Sequence, residues 1–228
     1  MKKKILLFIA IVSCLFTLVG CKSSSTNLCE HLIENREHLF VGNDALYSVT
    51  FSTGTRESNY NFDGVINEHV PFGILTLSRI DNLSLANDTY TYIVTINEET
   101  YTGFLEKDTS DNSYSADLEV NLTGEENVNA QISFTGYTFN KDLENLSSQF
   151  QVDNKTALNI AQKELKSNLK SLLSDKNIKI EVVMKIMKDY SHEELKNYYW
   201  YVGILATNGE TLGILIDANS GDIIAKKV

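Results

Sequence analysis

Apolar and polar residues alternate along much of the first two thirds of the chain. A period of two is typical of β-strands that pack one face on a core and turn the other to solvent. The alternation is clearest in the runs that begin at Tyr114 and Val128. It predicts about seven strands, at residues 47–52, 59–66, 73–80, 89–96, 99–106, 114–120 and 128–134. Short antiparallel strands of this kind form a sandwich or a curled half-barrel.

Two other segments have helical spacing. Apolar residues recur near one helical face over residues 28–39, which predicts a short helix there. After a polar connection over 141–152, Asp153 is placed to cap a second helix, whose apolar stripe runs to Leu173.

The end of the chain returns to strand periodicity. Strands are predicted from Ile178 to about Met187 and at 198–206, 212–216 and 222–226, with a hairpin turn at Asn208 and Gly209. Together with the helix before them, these strands predict a small unit of one helix and an antiparallel sheet.

The distribution of charge suggests a boundary between two modules. The whole chain has 20 basic and 30 acidic residues, a formal charge of −10, which argues against a nucleic acid as partner. Residues 21–150 hold 6 basic and 20 acidic side chains, whereas residues 151–228 hold 11 and 10. We therefore expect an α+β protein, with an acidic β-rich domain over 28–150 followed by an α+β domain over 151–228.

The first twenty residues have the pattern of a signal peptide. Three lysines precede an apolar run over residues 5–19, which is too short to cross a bilayer of about 30 Å. The signal ends in Leu18, Val19, Gly20 and Cys21, a sequence that resembles the lipobox of bacterial lipoproteins. The resemblance implies cleavage before Cys21, a diacylglycerol on its thiol and acylation of the new amine, with palmitate as the expected acyl chain. Residues 21–27 would then tether the protein to the extracytoplasmic face of the cell membrane.

Three stretches of the C-terminal segment resemble the PepSY domain, an α+β unit of thermolysin-like peptidase propeptides and of many bacterial envelope proteins. They are residues 156–161, 199–202 and 216–223. The last stretch holds a turn of Asp217, Ala218, Asn219, Ser220 and Gly221, with serine where the family has threonine. Asp217 is expected to accept backbone N–H groups and Gly221 to adopt a positive φ, so the turn is structural.

The resemblance implies a non-catalytic module that binds or restrains an exported peptidase or another envelope protein. The alternatives are a structural or ligand-binding lipoprotein that works through its β-rich domain, and a hydrolase with an unrecognised site.

Catalytic and metal-binding motifs are missing from the sequence. The four histidines form no H-E-x-x-H pattern, and neither a nucleophile elbow nor a phosphate loop occurs. We expect no enzyme activity, no cofactor and no metal. The oxygen-rich residues 108–112 favour a solvated hairpin tip over a calcium loop. Cys29 would have no disulfide partner in the mature chain and is expected to be packed.

Overall fold

The computed structural model describes residues 26–58, 61–81, 83–108, 112–188 and 198–228. The described residues form two α-helices, α1 (Asn154–Glu164) and α2 (Lys166–Leu172), and two 3₁₀ helices, Leu28–His31 and Ser147–Gln149. They also form twelve strands: β1 (Leu32–Asn43), β2 (Tyr47–Glu57), β3 (His69–Arg79), β4 (Tyr90–Ile96), β5 (Glu99–Lys107), β6 (Tyr114–Leu118), β7 (Val128–Phe134), β8 (Tyr137–Asn145), β9 (Ile180–Lys188), β10 (Tyr198–Ala206), β11 (Thr211–Asp217) and β12 (Ile223–Lys227).

Eight strands form a closed antiparallel barrel in the order β1-β2-β3-β6-β5-β4-β7-β8. The barrel closes where β1 pairs with β8, with Phe40 opposite Asn145 and Val41 opposite Glu144. An eight-stranded barrel has an interior that side chains can fill. Buried aromatic and aliphatic residues occupy it here, among them Phe51, Tyr90 and Phe139.

The remaining four strands extend the same sheet in the order β9-β10-β11-β12. Strand β9 pairs in parallel with the first half of β1, with Leu32 opposite Val182 and Asn35 opposite Met184. Helices α1 and α2 lie on one face of this extension, where Leu158 and Leu169 belong to the same core as Trp200.

The expectation of an α+β fold with two modules is wrong. The protein is mostly β, with 54% of the described residues in strands and 13% in helices. The strands after the helices continue the sheet of the barrel, and the predicted seven-stranded sandwich or half-barrel is a closed barrel of eight strands. The sequence pattern does not reveal this, because β1 and β9 are far apart in the chain and it is their pairing that continues the sheet from one part to the other.

Strand β1 contributes to both hydrophobic cores. Phe40 is buried in the barrel, whereas its neighbours Leu39 and Val41 point the other way and pack in the core beneath the helices. The helix predicted over 28–39 is therefore wrong beyond the 3₁₀ turn of Leu28–His31. Consecutive apolar residues in a strand that is buried on both faces do not alternate with polar ones, so their spacing resembles that of a helix.

Other local predictions have mixed outcomes. The strands predicted at 89–96, 99–106, 128–134 and 198–206 are confirmed within a residue as β4, β5, β7 and β10. The strand predicted at 59–66 is wrong for its described residues 61–66, since β2 ends at Glu57. The connection predicted from residue 141 is also wrong at its start, because β8 continues to Asn145.

The predicted cap of the helix is confirmed. The carboxylate of Asp153 accepts a 2.7 Å hydrogen bond from the backbone N–H of Thr156, in the N-cap position of α1. The single helix expected as far as Leu173 is divided at Leu165 into α1 and α2.

Candidate functional site

The lipobox residues Leu18, Val19, Gly20 and Cys21 lie outside the described residues, as does the signal peptide. The described chain begins two residues before its first helical turn, which Asn27 caps by accepting the backbone N–H of Cys29. Cys29 is exposed, so the expectation that it is packed is wrong. Among the described residues, no helix has both the length and the apolar character needed to cross a membrane.

The turn at residues 217–221 has the predicted local geometry. Oδ1 of Asp217 accepts the backbone N–H groups of Asn219 and Ser220, both at 2.8 Å. Gly221 has a φ of 77°, which few residues other than glycine adopt without strain. Ala218 is fully buried in the core beneath the helices, so the turn holds the end of β11 against that core.

The tyrosines of the barrel are packed against one another. The rings of Tyr90 and Tyr114 lie 4.5 Å apart between centroids, and those of Tyr47 and Tyr137 lie 5.0 Å apart. Burial, followed by the charge of Tyr114, raises the pKa of Tyr90 to about 12. Tyr90 and Tyr114 are buried and Tyr47 and Tyr137 are half-buried, and the contacts between these rings stabilise the barrel core.

The four-stranded extension has a second face, opposite the helices, which we call the open face. Successive side chains of a strand point to opposite faces, and directly paired residues share one. The strand registers therefore align the residues of the open face in rows. One row contains Lys185, Tyr201, Leu215 and Ala225; the next contains Lys227, Gly213, Gly203, Val183, Glu34 and Arg56.

A groove on the open face lies beside two paired glycines. Gly203 lies opposite Gly213, and the ring of Tyr201 covers Gly203 so closely that an added Cβ would lie 2.6 Å from the tyrosine hydroxyl. A Cβ on Gly213 would have the ring of Tyr201 as its nearest neighbour, at 3.5 Å, so a methyl group there would make an ordinary contact with the ring. The groove has a volume of about 390 Å³, and its lining includes Tyr201, Leu205, Gly213, Leu215, Ala225 and Lys227.

Three lysines line or adjoin this groove in a chain that is acidic as a whole, and one of them, Lys226, is paired with Glu164. Lys227 lines the groove and donates a hydrogen bond to the hydroxyl of Thr211. Lys185 is the direct cross-strand neighbour of Tyr201 and is half-buried. Burial, and then the charge of Arg36, lowers the pKa of Lys185. The open face therefore combines apolar surface with positive charge.

A smaller cleft of about 140 Å³ lies further along the row of the two glycines, where β9, β1 and β2 meet. It is lined by Ile33, Glu34, Arg56, Glu57 and Val183. Glu57 is only 4% exposed, and one of its oxygens accepts a 2.6 Å hydrogen bond from the backbone N–H of Asn67. The other oxygen is buried and has no hydrogen-bond partner among the described residues.

A second buried glutamate holds the same loop between β2 and β3. Oε1 of Glu181 accepts the backbone N–H groups of Asp63 and Gly64, at 3.0 and 2.7 Å. Its other oxygen is also buried without a partner in the described part of the chain, but Glu181 does not line the cleft. The two glutamates thus fix the loop at different points.

Metal ligation has little support in the described residues. No group of three or more histidine, cysteine or acidic side chains within them is arranged to hold a metal ion. Of the oxygen-rich residues 108–112, residues 109–111 lie outside the described chain. His192, in the predicted polar segment before β10, also lies outside it.

Sequence reasoning identified the turn at Asp217 but missed the groove and the cleft. Gly203 and Gly213 are isolated glycines inside strand patterns, a signal of close approach by a backbone or a ring. Glu57 and Glu181 are charged residues within or next to runs of strand-forming residues. Strand register places Gly203, Gly213 and Glu181 on the open face, whereas Glu57 follows Arg56 in β2 and points to the other side. Comparison of the chain with family models, with curated proteins and with solved structures gives no match.

Proposed function

We propose that the protein is a lipid-anchored lipoprotein on the extracytoplasmic face of a bacterial membrane, where it binds a protein partner without catalysing a reaction. The anchor rests on the lipobox at Cys21. Each buried CH₂ of an acyl chain contributes about 0.8 kcal/mol, and two or three chains hold a protein at a membrane durably. The tether over residues 21–27 keeps the folded part near the lipid surface.

The observation that carries the binding proposal is the groove on the open face. Its floor at Gly213 and its apolar walls suit an extended peptide segment that places one apolar side chain against Tyr201. Lys227 and Lys185 flank this position and favour carboxylates. The partner segment that we propose is therefore acidic with an apolar anchor. An exported peptidase is the partner that the resemblance to PepSY domains implies.

Anchoring is tested by replacing the cysteine that would carry the lipid. Cells that express the full chain are labelled with an alkyne analogue of palmitate and separated into membrane and soluble fractions. Cys21→Ser is expected to abolish labelling and to release the protein from the membrane. Cys29→Ser is the matched control and should change neither result. Labelling that persists in Cys21→Ser would overturn the proposed anchor.

Binding is tested by filling the groove. Peptides are selected from a random displayed library on the mature chain carrying Cys21→Ser, and their affinities are measured for variants. Gly213→Val places methyl groups in the groove beside Tyr201 and should weaken binding at least about tenfold. Thr102→Val adds the same side chain at an exposed position of β5 and should leave binding unchanged. Selected peptides without acidic residues, or with equal affinity for Gly213→Val, would contradict the proposal.

A further inference from the structure

We propose that the outer side of helices α1 and α2 is a docking surface for anionic phospholipid headgroups, and that this contact orients the protein on its membrane. The contact rests on the proposed lipid anchor, which brings the protein to the membrane, and it is separate from the groove. Three features support it: a row of lysines on the helices, the place where the tether joins the fold, and the charge of the rest of the chain.

Four exposed lysines follow one side of the two helices, and we call them the lysine stripe: Lys155, Lys163, Lys166 and Lys170. Backbone hydrogen bonds from Leu165 to Ala161 and from Leu169 to Leu165 continue the helical ladder from α1 to α2. At about 3.6 residues per turn, the four lysines therefore fall within a sector of about 80° around the helix. The buried residues Ala161, Leu165 and Leu169 fall in another sector, which faces the sheet.

Acidic side chains near the helices leave the lysine stripe unpaired. Glu164, the one acidic residue in the sequence of the two helices, is paired with Lys226 at 2.8 Å. Asp153 and Asp175, which precede and follow the helices, each accept a hydrogen bond from a nearby backbone N–H group. Within the described part of the chain, no ion pair involves a lysine of the stripe. The stripe therefore presents its positive charge to solvent.

The tether joins the fold beside the lysine stripe. Leu28 is fully buried, and its backbone N–H donates a 3.1 Å hydrogen bond to Oε1 of Gln162. Gln162 lies about one turn before Lys166 on the same side of the helix. Even when fully extended, residues 21–28 span at most about 25 Å. A lipid on Cys21 would therefore keep the stripe close to the membrane surface.

The charge of the rest of the chain favours the same orientation. Acidic side chains far outnumber basic ones over residues 21–150, so an anionic surface repels the barrel. Each lysine near such a surface strengthens binding about fivefold, and the attraction decays over about 10 Å at 0.1 M salt. The helices would then face the lipid. The open face, on the other side of the same sheet, would point away from the membrane and leave the groove accessible to a partner.

The test attaches the protein to vesicles chemically. The mature chain carrying Cys29→Ser is coupled through Cys21 to a maleimide phospholipid, in vesicles of phosphatidylcholine alone or with an equal amount of phosphatidylglycerol. Trp200 is the only tryptophan of the chain and lies in the core beneath the helices, so its energy transfer to a dansyl-labelled lipid reports how close the helices are to the membrane. Transfer should be at least about twofold greater on the mixed vesicles, and about 1 M salt should abolish the difference. Equal transfer on the two kinds of vesicle would overturn the proposal.

Variants without two of the charges assign the effect to the stripe. Lys166→Gln and Lys170→Gln are combined, since glutamine has nearly the helix propensity of lysine, and the gain on mixed vesicles should fall by at least about half. The matched control combines Lys107→Gln and Lys141→Gln, which remove the same charge from exposed positions of β5 and β8, and it should keep the gain. A full gain in the stripe variant would overturn the proposal.

An acidic protein is the other ligand that a row of lysines suits. Binding of soluble polyglutamate that is lost in the stripe variant, with no response of the parent protein to mixed vesicles, would identify that ligand and overturn the lipid contact. Because the maleimide lipid supplies the attachment, the result does not depend on lipidation in cells. Failure of the palmitate experiment is thus distinguishable from failure of this one.

Discussion

The indole N–H of Trp200 donates a 2.7 Å hydrogen bond to the backbone carbonyl oxygen of Val152. The N–H of Val152 in turn donates to the carbonyl oxygen of Ala218 at 3.0 Å. Strand β10, the entry to helix α1 and the turn after β11 therefore meet at one buried point, where Trp200 is 2% exposed. This connection fixes the helices on one face of the sheet, and the opposite face of the same strands is the open face.

Trp200→Phe is expected to reduce the free energy of unfolding by about 1–3 kcal/mol, because it leaves the buried carbonyl of Val152 without its donor. Urea unfolding followed by far-UV circular dichroism measures the change, since the chain has no other tryptophan for fluorescence. Tyr201→Phe, on the half-exposed face of the same strand, should change stability by less than about 0.5 kcal/mol. Equal losses in the two variants would contradict the assigned role of the indole N–H.

The cap of helix α1 predicts a dependence of stability on pH. Hydrogen bonds from the side chain and the backbone N–H of Thr156 hold the pKa of Asp153 below its ordinary value of 3.8. A carboxyl whose pKa is lower in the folded state stabilises the fold above its unfolded pKa, and this contribution is lost as the pH falls through the folded value. Asp153→Ala should therefore cost about 1 kcal/mol at neutral pH and progressively less below pH 3.8. Urea unfolding at a series of pH values measures this, and a cost that stayed constant into strong acid would argue against it.

The predictions that succeeded depend on neighbouring residues. Alternation within a single segment placed β10 at its observed residues, and Asp217 and Gly221 have the chemistry that a tight turn requires. The failures concern contacts between distant segments. No local pattern indicates that β1 pairs with both β8 and β9, or that its alternate side chains enter two cores.

The candidate sites also depend on contacts between segments that are distant in the chain. The groove needs Leu215 beside Tyr201, and the cleft needs Val183 beside Glu34, and both alignments are set by strand register. Register depends on how whole strands pack, which a single sequence does not reveal. The balance of charge does differ between residues 21–150 and 151–228, but the same sheet continues across that boundary.

Alanine substitutions at two glycines should differ in their effect on stability, because Gly54 lies against the backbone of a neighbouring strand and Gly213 lies in the groove. A Cβ on Gly54 would lie 1.9 Å from the backbone oxygen of Asn35, in the partner strand β1. Gly54→Ala must therefore displace β1 from β2, and we expect a loss of at least about 3 kcal/mol or failure to fold. Gly213→Ala meets only ordinary contacts and should change stability by less than about 1 kcal/mol. Thermal unfolding compares the two, and a well-folded Gly54→Ala protein would show that this contact is looser than described.

Removing residues 151–228 should destabilise the barrel, because β1 depends on the segment that follows. Leu39 and Val41 are 6% and 7% exposed in the intact chain and pack in the core beneath the helices. Without that segment they become a surface patch, and the first half of β1 loses its pairing with β9. The fragment 28–150 should consequently unfold at a lower temperature than the intact chain and bind the dye ANS, which reports exposed apolar surface.

The double substitution Leu39→Thr and Val41→Thr tests this prediction further. It should have opposite effects in the intact chain and in the fragment, which a general loss of stability would not produce. In the intact chain it removes buried methyl groups and should cost about 2–5 kcal/mol. In the fragment the same positions face water, so the change should lower ANS binding and raise solubility. If the fragment melts at the temperature of the intact chain, or if the double change weakens both proteins equally, then β1 does not couple the two cores. The opposite signs would establish that a single strand makes the barrel and its helix-covered extension one cooperative unit.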